Sequence, residues 1–369
     1  MTGEDLRYLI ALTMIPDVGS ITARKLIAYT GSAKAVFGEK KSNLQKIPGI
    51  GSFLAGQIHP DSHLSQADKE ISFIEKNNIK FLSLFDKEYP ERLKQCPDAP
   101  ILLYFKGSNV FSAPKILSIV GTRTVSEYGV EQCRKIIRDL TENNHRILIV
   151  SGLAYGVDAQ AHMASLQYNQ ITVAILAHGL HTVYPSAHKN LASRIAESGA
   201  LLTDFSTCNN PERNNFLKRN RIIAGLADAT LVIESGRKGG ALITADLAMS
   251  YNRDVFAIPG RVNDPMSEGC NMLIRDNKAA LVGGFADIEF LMGWDNKDKP
   301  AQPRQSRLFV ELNEDEQKIV DELKKEDRLS PDILSIRTGM PVSKVSANLL
   351  NMEFKALVNV LPGNYYQLV

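Results

Sequence analysis

Cysteine is scarce in this chain. Four stand among 369 residues, Cys96, Cys133, Cys208 and Cys270, far apart and with no Cys-x-x-Cys pair. That argues against a zinc ribbon or a disulfide framework and fits a reducing compartment. The start, Met1-Thr-Gly-Glu-Asp, lacks the cations of a secretory signal, and its apolar run is broken by Thr13 and Pro16. No apolar run approaches the ~18 residues that a membrane span needs. The expected location is therefore the cytoplasm, with no membrane contact. Excess charge is missing too: the formal net charge is only +2, so any anion-binding surface must be a local patch. Composition is otherwise that of a soluble globular protein, 44% hydrophobic and 23% charged, and long enough for two or three domains.

The usual signatures of chemistry are also missing. Gly121 is followed by another glycine only at position 129, so there is no Gly-x-Gly-x-x-Gly dinucleotide fingerprint. No Walker A loop occurs, which argues against phosphoryl transfer. Ser151 lacks the Gly-x-Ser-x-Gly elbow of a nucleophile. Asp158 and His162 stand at i, i+4, but no third ligand joins them at helical spacing, and a metal site wants three or four. They read instead as a helix cap and a packed histidine. The sequence thus offers no catalytic residue, no metal site and no cofactor.

What is present is a basic stretch with an aromatic in it. Arg213, Lys218, Arg219 and Arg221 put four cations in nine residues without an acid, and Phe216 and Leu217 lie among them. Cations beside a flat ring suit a single nucleic-acid strand, charge for phosphate and a face for a base; a solvated helix start is the plainer alternative.

The pattern around this stretch divides the chain. Residues 1–65 carry two similar phrases, Ile15-Pro-Asp-Val-Gly19-Ser and Ile47-Pro-Gly-Ile-Gly51-Ser, each a tight turn between helical patterns. They resemble the helix-hairpin-helix family, which binds DNA backbone through free helix N–H groups; a structural or protein-contact role is equally open. Residues 66–293 alternate short apolar runs with helical patterns. Strands are expected at 116–120, 147–150, 171–176, 200–202, 230–233 and 255–258, as in a parallel sheet covered on both faces. The fold class is α/β, a doubly wound parallel sheet whose ligands sit at the carboxyl ends of the strands. Residues 294–307 are polar and read as a linker. Residues 308–369 suggest three helices and a hairpin, a winged helix. Its third helix offers Lys344, Asn348, Asn351 and Lys355 against Glu353, thin equipment for reading bases.

Five of the six expected strands run into a glycine-bearing loop: Gly121-Thr122-Arg123, Ser151-Gly152, Ala177-His178-Gly179, Gly236-Arg237-Lys238-Gly239-Gly240 and Pro259-Gly260-Arg261. In a parallel sheet all of them lie at one edge. Glycine lets the backbone approach an anion closely, and arginine can fork two of its oxygens.

Taken in order, Ile119-Val-Gly-Thr-Arg123, Val150-Ser-Gly-Leu-Ala-Tyr-Gly-Val-Asp158, Tyr184-Pro185, Asn215-Phe216, Arg219-Asn220-Arg221-Ile-Ile-Ala-Gly225, Gly240-Ala-Leu-Ile-Thr-Ala245 and Val255-Phe-Ala-Ile-Pro-Gly260 resemble the DNA-processing protein A (DprA, or Smf) family. The resemblance implies an extended Rossmann-like domain that binds single-stranded DNA without cutting it, and a homodimer. It implies protection of incoming strands in natural transformation and loading of RecA recombinase in place of single-strand-binding protein. By motif, Arg123 and Arg213 would grip phosphate and Phe216 would stack on a base. Asn215, Arg219, Asn220 and Arg221 would shape the same pocket, with Gly121, Thr122, Ser151, Gly152, Gly239 and Gly240 lining the turns. Ile222, Ile223 and Leu226 would be the buried stripe of that helix. Leu217 stands where members often have proline, and Gly239 where they often have serine.

Two other readings compete. A nucleotide phosphoribohydrolase of the lysine-decarboxylase-like type has related loops, but its Pro-Gly-Gly-x-Gly-Thr hallmark is missing; the nearest phrase is Pro259-Gly-Arg-Val. A scaffold acting through its outer domains is the third.

Overall fold

The computed structural model describes residues 3–58, 60–294, 312–326, 328–355, 357–361 and 363–368. These divide into two compact units, Met1–Asp287 and Ile288–Val369. Apart from Trp294, the expected linker at 294–307 lies outside the described residues.

The first unit is built on nine strands: β1 (Lys80–Ser83), β2 (Leu102–Gly107), β3 (Ile116–Val120), β4 (Leu148–Ser151), β5 (Thr172–Ile175), β6 (Ala200–Thr203), β7 (Ala229–Val232), β8 (Asp254–Ala257) and β9 (Ala280–Leu281). Their order is β1-β2-β6-β5-β4-β3-β7-β8-β9. From β6 to β9 every pairing is parallel, whereas β1 and β2 form an antiparallel edge on β6. All six expected strands are there. Strands β3 to β7 are buried at every residue, which is why they read as short, mainly apolar runs with one Ser or Thr in each. The crossover helices follow the same logic. In Glu127–Glu142, Ser126 caps the Gly129 N–H and Cys133, Ile136, Ile137 and Leu140 form the buried stripe.

The N-terminal helices join this unit rather than stand apart. Leu9, Ile10, Leu26, Leu44, Ile47 and Ile50 share one apolar core with Leu102, Leu103 and Phe105 of β2. The helix Pro60–Lys76 runs across the expected boundary at 65, and buried Glu70 accepts the backbone N–H and hydroxyl of Thr207, beyond β6. The two hairpin phrases take the same local form. Gly19 and Gly51 are both extended N-caps, of helices Ser20–Thr30 and Ser52–Gln57, without a capping side chain. Each is preceded by a matching turn, Val18 N–H to Ile15 O at 3.2 Å and Ile50 N–H to Ile47 O at 3.0 Å.

The second unit carries helices Glu314–Lys325, Pro331–Thr338 and Val342–Phe354, then a hairpin of β10 (Val358–Leu361) and β11 (Tyr365–Leu368). Asn313 and Glu316 close a capping box on the first helix, and Ser330 caps the second. Both lysines of the third helix are engaged inside the unit. Lys344 meets Asp315 at 2.7 Å, and Lys355 meets both oxygens of buried Glu316 at 2.7 and 2.9 Å. Asn348 is buried and donates to Lys344 O.

Candidate nucleic-acid interface

The winding of the sheet reverses beside β3. The chain steps outward through β4, β5 and β6, and the helix Arg213–Leu226 then carries it back to β7 on the other side of β3. Such a switch point opens a crevice at the carboxyl ends of β3 and β7. Two loops meet there. Thr122 N–H donates to Glu234 O at 2.8 Å. The Glu234 carboxylate, itself buried, accepts Ser126 N–H at 2.9 Å and the Ser126 hydroxyl at 2.5 Å. Gly129 makes room for it, since a Cβ there would stand 2.4 Å from Glu234 Oε2. From the other side Gly156, at φ 74°, presses on the same loop: a Cβ would stand 2.2 Å from Thr122 O. The Gly121-Thr122-Arg123 turn is thus clamped on both flanks and presents Arg123 exposed.

Facing it is Phe216, in the first turn of the helix Arg213–Leu226. Its ring centroid lies 5.2 Å from the Arg123 guanidinium carbon and 5.9 Å from that of Arg219. Both are within cation–π range. Tyr184 meets the ring edge-on at 5.7 Å and 63°. The helix is anchored by Ile222, Ile223 and Leu226, all buried as the apolar spacing implies.

Arg219 is only 4% exposed, and its Nη1 donates to Ile175 O at 3.1 Å. Its guanidinium occupies the space a side chain at Gly152 would fill. Burial pulls its pKa below the ordinary arginine value, and the charge of buried Asp158 acts against that. Burial in turn pushes the Asp158 carboxyl up, opposed by Arg219 and by the N–H groups of Ala154 and Gly152. Each charge thus favours the ionised form of the other.

The remaining expected residues separate into near and far. Arg213 is exposed on the first turn of the helix, and Asn215 is buried, donating to Asn210 O at 3.1 Å. Asn220 is buried. Ser151 is fully buried and gives its hydroxyl to Ile119 O at 2.6 Å, so it supports β3 rather than lining the crevice. Gly239 and Gly240 open the helix Gly240–Ser250 after β7. A Cβ at Gly239 would strike the Ser235 hydroxyl, and at Gly240 it would meet nothing. Arg237 and Lys238 are exposed beside them, and Arg237 stands 3.6 Å from Glu268.

Arg221 departs from the expected pocket. Its guanidinium is bound by Asp204 and by the Asp98 carbonyl, with Ser20 Oγ at 3.4 Å. It lines a different cleft of about 760 Å³, between the first helical hairpin and the β6 side, together with Lys218. The cause is helical rotation of about 100° per residue, which puts Phe216 and Arg221 on different faces. Asp158 is a second correction. The N-cap of helix Val157–Gln167 is Gly156, and Asp158 sits inside the first turn, where the charge of Arg219 favours its ionised form. His162 is fully buried as a packing residue, with Nδ1 2.7 Å from the Thr172 hydroxyl and Nε2 without a partner among the described residues. Burial drives its pKa down to about 3.

Sequence reasoning passed over two contributors. Tyr184 enters only as half of a Tyr-Pro motif, and Glu234, directly after the expected strand at 230–233, is given no role. The signal for Glu234 was an acid placed directly after an apolar strand.

The family model described as DNA recombination-mediator protein A matches residues 80–292, and that of the DprA winged helix domain matches 299–364. Protein Smf of Synechocystis is 30% identical over the whole of both chains. DNA processing protein DprA of Streptococcus pneumoniae is 38% identical, covering 62% of this chain and 79% of its own. The X-ray structure of DprA from that organism superposes with a TM-score of 0.67 at 32% identity, covering 76% of this chain and 96% of its own. The DNA processing protein A structure from Helicobacter pylori, described for its single-stranded DNA binding mode, superposes with a TM-score of 0.53 at 27% identity, covering 59% of this chain and 96% of its own. With its doubly wound sheet, reversed beside β3, and its separate C-terminal unit, this chain belongs to the DNA recombination-mediator protein A family.

Proposed function

We propose that this protein binds single-stranded DNA in the crevice at β3 and β7 and acts as a recombination mediator, protecting incoming strands and loading RecA recombinase onto them during natural transformation. The observation that carries the reading is the packing of Phe216 close to two guanidinium groups, one exposed and one buried. Exposed Arg123 and Arg213 supply phosphate contacts that need no sequence, and Phe216 supplies a face on which any base stacks. Homodimerisation, a cytoplasmic location and exchange with single-strand-binding protein belong to the same proposal. What is described of membranes is that no helix among the described residues is long and apolar enough to cross one.

The reading includes binding without turnover. Three polar groups a hydrolase could use beside the crevice are buried. The Ser151 hydroxyl donates to Ile119 O, Asp158 lies within the first turn of its helix, and His162 is neutral at physiological pH. An acid or base catalyst works best with a pKa near the operating pH, and His162, at about 3, lies far below it.

Salt-titrated binding of a short oligonucleotide tests the reading. A slope of about −2 to −3 in log K against log salt is expected for three or four phosphate contacts at roughly −0.7 each. Arg123→Ala should flatten it. Equal affinity for blunt duplex and single strand would sink the proposal. Full RecA loading by a variant lacking both Arg123 and Arg213 would move the function to protein contacts instead.

A further inference from the structure

Phe216 is not the only ring at this edge of the sheet. Tyr155, in the loop after β4, is 49% exposed and makes no hydrogen bond among the described residues. Its ring is held edge-to-face against His188, with centroids 5.0 Å apart at 66°. His188 is fixed in turn, its Nδ1 lying 2.9 Å from Leu153 O. A tyrosine on a loop tip is ordinarily mobile, but this loop is tightly packed. A Cβ on the next residue, Gly156, would stand 2.6 Å from the Arg123 carbonyl carbon, and Val157 N–H donates to Thr122 O at 3.1 Å. The backbone that carries Tyr155 therefore lies directly on the backbone that carries Arg123.

Phe216 faces the Arg123 guanidinium, and the loop that carries the exposed Tyr155 packs on the Arg123 main chain, so both rings are tied to elements that meet at Arg123. We infer that Tyr155 is a second base platform, so that the crevice stacks two positions of a strand with the phosphate grip of Arg123 between them. The inference rests on the single-strand reading and extends it, giving the ligand as an unpaired strand long enough to reach both rings. Stacking of this kind tolerates any base, since every base has a π face. Duplex DNA keeps its bases paired and offers no face to either ring.

The test uses the full chain and fluorescent oligothymidylates of increasing length, with wild type, Tyr155→Leu, Tyr155→Phe, Phe216→Ala and Arg123→Ala. Tyr155→Leu keeps apolar bulk but removes the aromatic face. It should weaken binding roughly five- to a hundredfold on the longer oligomers, the range of one lost stack, and leave the shortest ones nearly unaffected. Tyr155→Phe should bind like wild type. An oligonucleotide carrying 5-iododeoxyuridine should photocrosslink to Tyr155 as well as to Phe216. Affinity of Tyr155→Leu within twofold of wild type at every length, while Phe216→Ala and Arg123→Ala lose binding, overturns the second platform and leaves the proposed function standing. Unchanged binding by all three variants overturns both.

Discussion

The guanidinium of Arg219 lies on the bare backbone of Gly152: a Cβ built at that glycine would stand 1.4 Å from Nη1. The two residues are far apart in sequence, one directly after β4 and the other midway along the helix that returns to β7. Their contact seats a buried cation 5.9 Å from the Phe216 ring centroid. Gly152→Ala should therefore expel Arg219, break its bond to Ile175 O and unsettle the ring. The expected cost is about 1–3 kcal/mol of stability from overpacking, with a loss of single-strand affinity similar to that of Phe216→Ala. Gly38→Ala, where a Cβ meets nothing within 4 Å, is the control for glycine replacement itself. Wild-type affinity in Gly152→Ala would show that the seat of Arg219 does not matter for binding.

Arg221 should behave in the opposite way. It and Asp204 form an ion pair with side chains 15% and 14% exposed, and Asp204 Oδ1 already lacks a partner among the described residues. Removing the arginine leaves a largely desolvated carboxylate alone. Arg221→Ala should lose about 2–4 kcal/mol in urea unfolding, toward the low end because the pair keeps some contact with water. Its salt slope for oligonucleotide binding should match wild type at a temperature where the variant is folded. A slope shallower by one phosphate contact, with unfolding unchanged, would return Arg221 to the strand interface.

These two arginines show what the sequence could and could not disclose. The run from Arg213 to Arg221 was visible as charge with an aromatic inside it. Spacing alone did not say which cations share the face of Phe216, because neighbours across the crevice come from distant segments: Gly152 and Asp158 below, Asp204 and Asp98 on the far side. The parallel strands were legible because burial on both faces leaves them mostly apolar, with only scattered Ser and Thr such as Ser118 and Thr230. Strands β1 and β2 were not. Lys80–Ser83 is short and partly exposed, and Leu102–Gly107 pairs with a strand about 100 residues on. The glycine turns were legible as close approaches, but what approaches them was not. Gly129 clears Glu234 and Gly152 clears Arg219, both side chains rather than a ligand.

The C-terminal unit yields a third prediction. Its third helix carries two lysines, yet Lys344 is paired with Asp315, and Lys355 with a Glu316 that is 1% exposed. Burial alone would push the Glu316 carboxyl up, but Lys355 and the Asn313 N–H hold it below its ordinary value. These lysines are committed to their own unit and are poorly placed to release counterions from a duplex. Lys344→Ala should leave the salt slope for double-stranded DNA unchanged. Lys355→Met should cost about 1–3 kcal/mol of stability, the penalty of stranding a buried charged acceptor. A slope that falls by about 0.9, one duplex phosphate contact, in Lys344→Ala would make this helix a DNA-binding element after all.

Acid should expose the buried histidine. The pKa of His162 lies at about 3 in the folded protein, against an ordinary value of 6.5 that applies when the chain unfolds. Between those values the unfolded chain binds the proton and the folded chain does not, so stability rises with pH across that window. It is lost as pH falls from 6.5 toward 3, at up to about 1.4 kcal/mol per pH unit. Two other buried groups act in the reverse sense. Burial raises the pKa of Asp158 and Glu70, so folding favours their protonated forms and acidification relieves part of their cost. The raw acid profile is therefore a composite, and a difference between variants isolates the histidine. His162→Gln keeps a polar group near the Thr172 hydroxyl but has nothing to titrate. Urea unfolding at stepped pH should show wild type losing stability faster than His162→Gln below pH 6.5, with parallel curves above it. Parallel curves throughout would mean that His162 takes up its proton without leaving the core.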